Sequence, residues 1–190
     1  ARWQIPEAPA QRFAEAPWDG SDPGKRHILV HAEQGYGDSI QFVRFVPLLA
    51  ARAAQVTLLS QKALLGLFRR SFEFEVLSFE DGMPEVHAHV SLLSLPGHFA
   101  TTLENLPARV PYLKARSTAR HPGQPAIGIC WAGNPEFVSN QPRSCPAILF
   151  ARLLEAIDAS FFGLKKDAAE EDLALFAASG RFVDLAQQWR

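Results

Sequence analysis

Cysteine is nearly absent. Cys130 and Cys145 are the only two in 190 residues. Two are too few for a disulfide framework, no acid–base arrangement marks either as a nucleophile, and such usage fits a reducing compartment, so a cytoplasmic protein is expected. A surplus of one charge is missing too. Lys and Arg number 19 against 20 Asp and Glu, a net charge of −1, which argues against a partner such as nucleic acid or another polyanion. No apolar run approaches a membrane span. The opening ARWQIPEAPAQRFAEAPWDG lacks the basic and apolar blocks of a signal peptide. It starts on Ala rather than Met, so we expect an excerpt from a longer protein. There is no repeat at a fixed period. Metal-ligand clustering is lacking as well: His87 and His89 are the one close histidine pair, and alternation along a strand accounts for them.

What is present is a core. Apolar residues make up 47% of the chain, enough for one ordinary domain or two small ones. The organising stretch is HAEQGYGDSIQFVRFVPLL, His31 to Leu49. An apolar run feeds into it, Gly35 and Gly37 turn the chain, and Asp38 opens an apolar-rich segment. This reads as strand, glycine loop and helix, the first unit of an α/β fold.

Residues 1 to 26 hold Pro6, Pro9, Pro17 and Pro23 with Gly20 and Gly24, the composition of a linker arm. Its aromatics Trp3, Phe13 and Trp18 predict that it lies against a surface. Strands are expected at residues 27–31, 55–59, 73–77 and 86–90. Helices are expected at 38–54, capped by Asp38 or Ser39, and at 61–70, closed by Arg69 and Arg70. Pro47 falls inside the first helix, where it costs roughly 3 kcal/mol, so a kink or break is predicted there. Residues 91 to 112 carry Pro96, Pro107 and Pro111 and read as an ordered irregular connection. HPGQP, residues 121 to 125, marks a boundary between a domain over 27–120 and a segment over 121–190. That segment restarts the scheme: strands at 126–131, 161–164 and 182–185, helices at 146–157 (N-cap Ser144) and 168–178. The β-α-β order with short links predicts parallel sheets. A three-strand second sheet has unprotected edges, so self-association to a homo-oligomer is expected.

The glycine loop fits no common phosphate cradle. Gly35-Tyr36-Gly37 offers G-x-G, but Ile40 stands at the third glycine position and no acidic residue follows about 20 positions on, against a dinucleotide. G-x-x-x-x-G-K-[ST] is absent. A carboxylate at Asp38 takes the place an anion would occupy at the helix mouth. Its role is either an ordinary N-cap or the acceptance of a proton from a substrate hydroxyl. Lys165 and Lys166, near Asp167, Glu170, Glu171 and Asp172, fit a solvated charged face. Trp131 fits core packing at the end of a strand better than stacking on a base.

The residues HAEQGYGDSIQFVRFVPLLAARAAQVTL, SLLSLPGHFATTLENLPARVPYL, AIGICWAGNPEFVSNQPRSCP and FFGLKKD, in that order, resemble the glycosyltransferase-like region of bacterial tetratricopeptide-repeat proteins. Those are relatives of lipopolysaccharide heptosyltransferases and O-linked N-acetylglucosamine transferases. The resemblance implies a GT-B architecture, two Rossmann-like domains with the acceptor on the first and a nucleotide sugar mainly on the second, the second being incomplete here. It implies inverting transfer to a sugar or protein hydroxyl without metal or other cofactor. Asp38 matches the proposed general base, and Gly35 and Gly37 match glycines that bring backbone close to substrate. Gln34 beside them, Gly133 and Asn134, the pair Arg143 and Ser144, and Lys166 facing the donor diphosphate complete the implied substrate-binding set. The chemistry suits these types: a base for the acceptor hydroxyl and positive charge for the departing diphosphate. The chain departs from the pattern at Phe137, Ser139 and Asn140, where the family has His, Asn and Asp, and at Lys165, where it has Gln. Without the remainder of the donor domain, a non-catalytic binding or scaffold module with a degenerate form of the fold is the alternative.

Overall fold

The computed structural model describes residues 13–116, 123, 125–133 and 143–186. They fall into two compact units that part between residues 117 and 118. Both are α/β units with parallel, Rossmann-like sheets.

The first unit begins with β1 (His27–His31), α1 (Tyr36–Phe42), a 3₁₀ turn over Val43–Phe45 and α2 (Val46–Ala50). It continues through β2 (Gln55–Ser60), a 3₁₀ turn over Lys62–Leu64, α3 (Leu65–Ser71), β3 (Glu75–Ser78) and β4 (Ala88–Ser91). A 3₁₀ turn over Leu92–Ser94 and α4 (Leu95–His98) follow. The sheet order is β3-β2-β1-β4 with all neighbours parallel. The chain therefore runs outward from β1 to β3 and returns to the other side of β1, which puts the topological switch point between β1 and β4.

Alternation along the strands divides two faces. Ile28, Val30, Val56, Leu58, Val76, Ala88 and Val90 enter one core with Val43, Val46, Leu49, Phe68, Leu92 and Leu95 from the helical segments. The residues between them, Leu29, Thr57, Leu59 and His89, are buried as well. Burial on both faces is why these strands read as continuous apolar runs.

Pro47 sets the break expected in the first helix. The segment is not one helix over 38–54 but α1, a 3₁₀ turn, and α2 with the proline in its first turn, where a missing N–H costs nothing. The cap expected at Asp38 or Ser39 is also corrected. The N-cap is Gly35, which makes no side-chain capping bond. Arg69 and Arg70 do close α3. The connection after β4 is less irregular than its prolines imply, since Pro96 stands in the first turn of α4.

The described part of the arm is folded, not a free linker. Trp18 is buried, its indole N–H donates to the Ser21 carbonyl at 3.0 Å, and its ring lies 5.0 Å from that of His98. The Trp18 N–H donates to the His89 carbonyl at 2.8 Å, the His89 N–H donates to the Ala16 carbonyl at 3.2 Å, and Pro17 forms a parallel bridge with His89. The arm thus covers the free edge of β4, which would otherwise present unpaired backbone groups. Gly20 takes φ +90° in the turn that follows, a conformation side chains disfavour.

The second unit holds β5 (Ala126–Ile129), α5 (Ala147–Ala156), β6 (Ser160–Gly163), α6 (Glu170–Ala177) and β7 (Phe182–Asp184). Its sheet runs β5-β6-β7, all parallel. Ile129, Trp131, Leu154, Phe161 and Phe176 form its core. Trp131 meets Phe176 edge-on at 4.7 Å and donates its indole N–H to Asp172 at 2.7 Å, which is the packing role expected for it. The cap expected at Ser144 is not there: the residue before α5 is Pro146, with no side-chain cap bond. No helix of the described residues is long and apolar enough to cross a membrane.

Candidate functional site

The glycine loop leaves the carboxyl end of β1 beside the switch point, where open α/β sheets bind ligands. The Ala32 N–H still donates to the Leu59 carbonyl at 2.9 Å, so the loop proper starts at Glu33. Gln34, Gly35, Tyr36 and Gly37 are exposed, and Asp38 is half-exposed. Gly35 sits at φ −66°, ψ 168°, and Gly37 lies within α1. Neither glycine therefore makes the turn through a left-handed conformation. Nor is either forced by crowding. A side chain on Gly37 would meet open space, and one on Gly35 would meet only the Asp38 carboxylate, at 3.5 Å. What their absence of side chains leaves is bare backbone at the surface.

Asp38 is the third residue of α1, with its carboxylate folded back over Gly35. That direction resembles the reach of the acidic residue in a capping box. No hydrogen bond or ion pair to a described residue engages it. The loop itself is held from β2. Gln61 donates its amide N–H to the Gln34 carbonyl at 2.7 Å, and its amide oxygen accepts from the hydroxyls of Ser39 at 3.0 Å and Ser60 at 3.1 Å. One side chain thereby fixes both the front of the loop and the first turns of α1.

A second polar group at the same end escaped the sequence reading. His31 closes β1 and Ser91 closes β4, facing each other in register. The Ser91 hydroxyl donates a short hydrogen bond to Glu33. His31 Nε2 lies 3.3 Å from His89 Nδ1, and the Phe13 ring covers both imidazoles at 4.5 and 4.7 Å. Burial pushes the His89 imidazole below the ordinary histidine range, and the nearby Glu15 charge opposes that shift in part. A cavity of 230 Å³ adjoins the pair, lined by Trp18, His31, His89, Ser91, Ser94 and His98. The signal for this group was the placement of histidines on neighbouring strands, which becomes visible only when β4 is known to pair with β1.

In the second unit the residues implied by resemblance gather at the carboxyl end of the sheet. Gly133 follows β5, and Lys166 follows its neighbour β6. The Cys145 N–H donates to the Trp131 carbonyl at 2.7 Å, which ties the segment of Arg143 and Ser144 to the chain leaving β5. Arg143 and Lys166 are exposed, while Gly133 and Ser144 are half-buried. Lys165 turns its amine back to the carbonyls of Lys166 and Asp167 at 3.4 and 3.3 Å. Asn134 and the departures at Phe137, Ser139 and Asn140 lie outside the described residues.

The chain matches no protein-family model, no curated protein and no solved structure.

Proposed function

We propose that the first unit is the acceptor side of a GT-B sugar transferase acting in the cytoplasm, with the second unit contributing to a nucleotide-sugar site. Asp38 is the base that takes the proton of an acceptor hydroxyl. Gln34, Gly35 and Gly37 offer backbone to that acceptor. Gly133, Asn134, Arg143, Ser144 and Lys166 serve the donor diphosphate. The observation that carries this reading is a half-exposed carboxylate with no bond to a described residue, beside two glycines that neither conformation nor packing requires, at the ligand-binding end of the sheet. A base must be free to reach its proton, and a purely structural cap would be spent on the backbone.

The test is transfer from a panel of nucleotide sugars to sugar and peptide acceptors, followed by mass spectrometry, with calorimetric titration of the same nucleotide sugars. Asp38→Asn should lower transfer by about 10²-fold or more and leave donor binding unchanged. If no nucleotide sugar binds and none is transferred, the reading is wrong. Binding without transfer, unaffected by Asp38→Asn, would favour a non-catalytic binding module. Phe137, Ser139 and Asn140, which replace polar and ionisable residues of the pattern, are the observation on that side.

A further inference from the structure

We propose that α5 is the surface through which two copies of this chain pair, the two helices lying antiparallel across a two-fold axis near Leu153. The inference stands on the second unit alone and does not depend on sugar transfer.

α5 is apolar on two sides. Ala147, Ala151 and Leu154 are buried in the core of the second unit, and the outward side of such a helix is ordinarily polar. Here Leu149 and Leu153 stand one turn apart on that side, 50% and 39% exposed, and Ile157 follows at the helix end, 37% exposed. Ile148, 50% exposed, begins a second row beside them. Four of the thirteen exposed large hydrophobic side chains among the described residues therefore belong to this one helix and its C-cap. Scattered apolar residues are ordinary on a surface, whereas a contiguous group marks a contact.

The charges on the helix fit a second copy. Arg152 and Glu155 continue the Ile148 row four and seven positions on, along one flank of the leucine row. Both are exposed, and neither has a hydrogen bond or ion pair with another described residue. A two-fold axis sets the same flank of each copy together and reverses its order. Arg152 of each copy then faces Glu155 of the other, with the leucine rows meeting between them. The face is thus its own complement in apolar surface and in sign. A lipid surface would instead call for a polar flank rich in Lys and Arg, and this flank carries one charge of each sign. A single helix pair is a small interface, so the dimer is a weak one, sensitive to concentration and to salt.

Sedimentation velocity on the whole chain, from about 1 μM to 1 mM, reads the pairing. A dimer should grow in with concentration and weaken as salt is raised. Leu149→Gln with Leu153→Gln should abolish it. Arg152→Glu sets like charges against each other in both pairs and should weaken the dimer on the order of tenfold. Adding Glu155→Arg restores opposite signs and should recover the affinity. A monomer at every concentration overturns the proposal and leaves the face to a different partner. A dimer that survives the leucine changes also overturns it, and would point to pairing through a sheet edge. Should the leucine variant fail to fold, the charge exchange decides, since both of its side chains are exposed. A double charge variant that pairs no more tightly than Arg152→Glu overturns the antiparallel arrangement.

Discussion

Gln61 is half-buried between β2 and the glycine loop, and its removal should loosen the loop more than the sheet. Gln61→Ala deletes three hydrogen bonds: to the Gln34 carbonyl at 2.7 Å, from Ser39 at 3.0 Å and from Ser60 at 3.1 Å. An ordinary hydrogen bond contributes about 0.5–1.5 kcal/mol net, and a buried donor left without a partner costs about 1–3 kcal/mol. The two serines are fully buried, but their fates differ. Ser39 retains a long contact to the Gly35 carbonyl at 3.4 Å, whereas the Ser60 bond to Gln61 has no such substitute among the described contacts. The exposed Gln34 carbonyl can turn to water. One costly orphan and two modest losses together give about 2–6 kcal/mol. Gln61→Glu separates the parts, because it keeps acceptors for both hydroxyls while setting a carboxylate against the Gln34 carbonyl. Urea unfolding followed by circular dichroism measures the total, and hydrogen exchange over residues 34–39 locates it. The alanine variant should lose both stability and loop protection. The glutamate variant should lose protection mainly at Gln34–Tyr36. A stability change below about 0.5 kcal/mol with an unchanged loop would refute the clamp.

The two glycines of the second sheet should respond differently to alanine. At Gly163 a Cβ would stand 2.7 Å from the Phe182 ring, itself packed 5.1 Å from Phe176, so Gly163→Ala should cost about 1–3 kcal/mol through overpacking. At Gly128 the obstruction is the Leu164 methyl at 2.6 Å, the end of a side chain 38% exposed that can swing aside, so Gly128→Ala should be the milder change in a urea midpoint. Equal midpoints would contradict the contacts. The Asp81 carboxyl is held below its usual range by bonds from the Ser78 backbone N–H and hydroxyl, with Arg69 adding to the effect. The turn it closes should therefore stay intact above about pH 3.9, the ordinary value, and loosen only as pH falls further. A Ser78 amide resonance that titrates at or above that value would show the bond to be absent.

Most of the α/β scheme was legible because it rests on short-range chemistry. Runs such as ILV and VTLL sit where strands form, Pro47 breaks the first helix, and Arg69 and Arg70 close α3. Caps were misread at both helices where one was named. Asp38 and Ser144 are good capping types, but the chain enters these helices two or three residues away, at Gly35 and Pro146, and only backbone geometry decides which residue is the last non-helical one. The arm was legible as a surface-bound segment from its aromatics. That it would pair with β4 was not, since edge pairing depends on which strand ends outermost.

The candidate site divides along the same line. Asp38 and its glycines are contiguous, so one stretch of sequence shows them together. His31, Glu33, His89 and Ser91 span about sixty positions and meet only because β4 returns to the side of β1 opposite β2. Gln61 belongs to this second kind, for it meets Gln34 only through the β1–β2 pairing. Both groups lie at one end of one sheet, yet they face opposite demands. The glycine loop keeps its carboxylate half-exposed, whereas the histidine pair is covered by Phe13. The fold therefore presents one polar group to solvent and seals another a few residues away at the same end of the sheet.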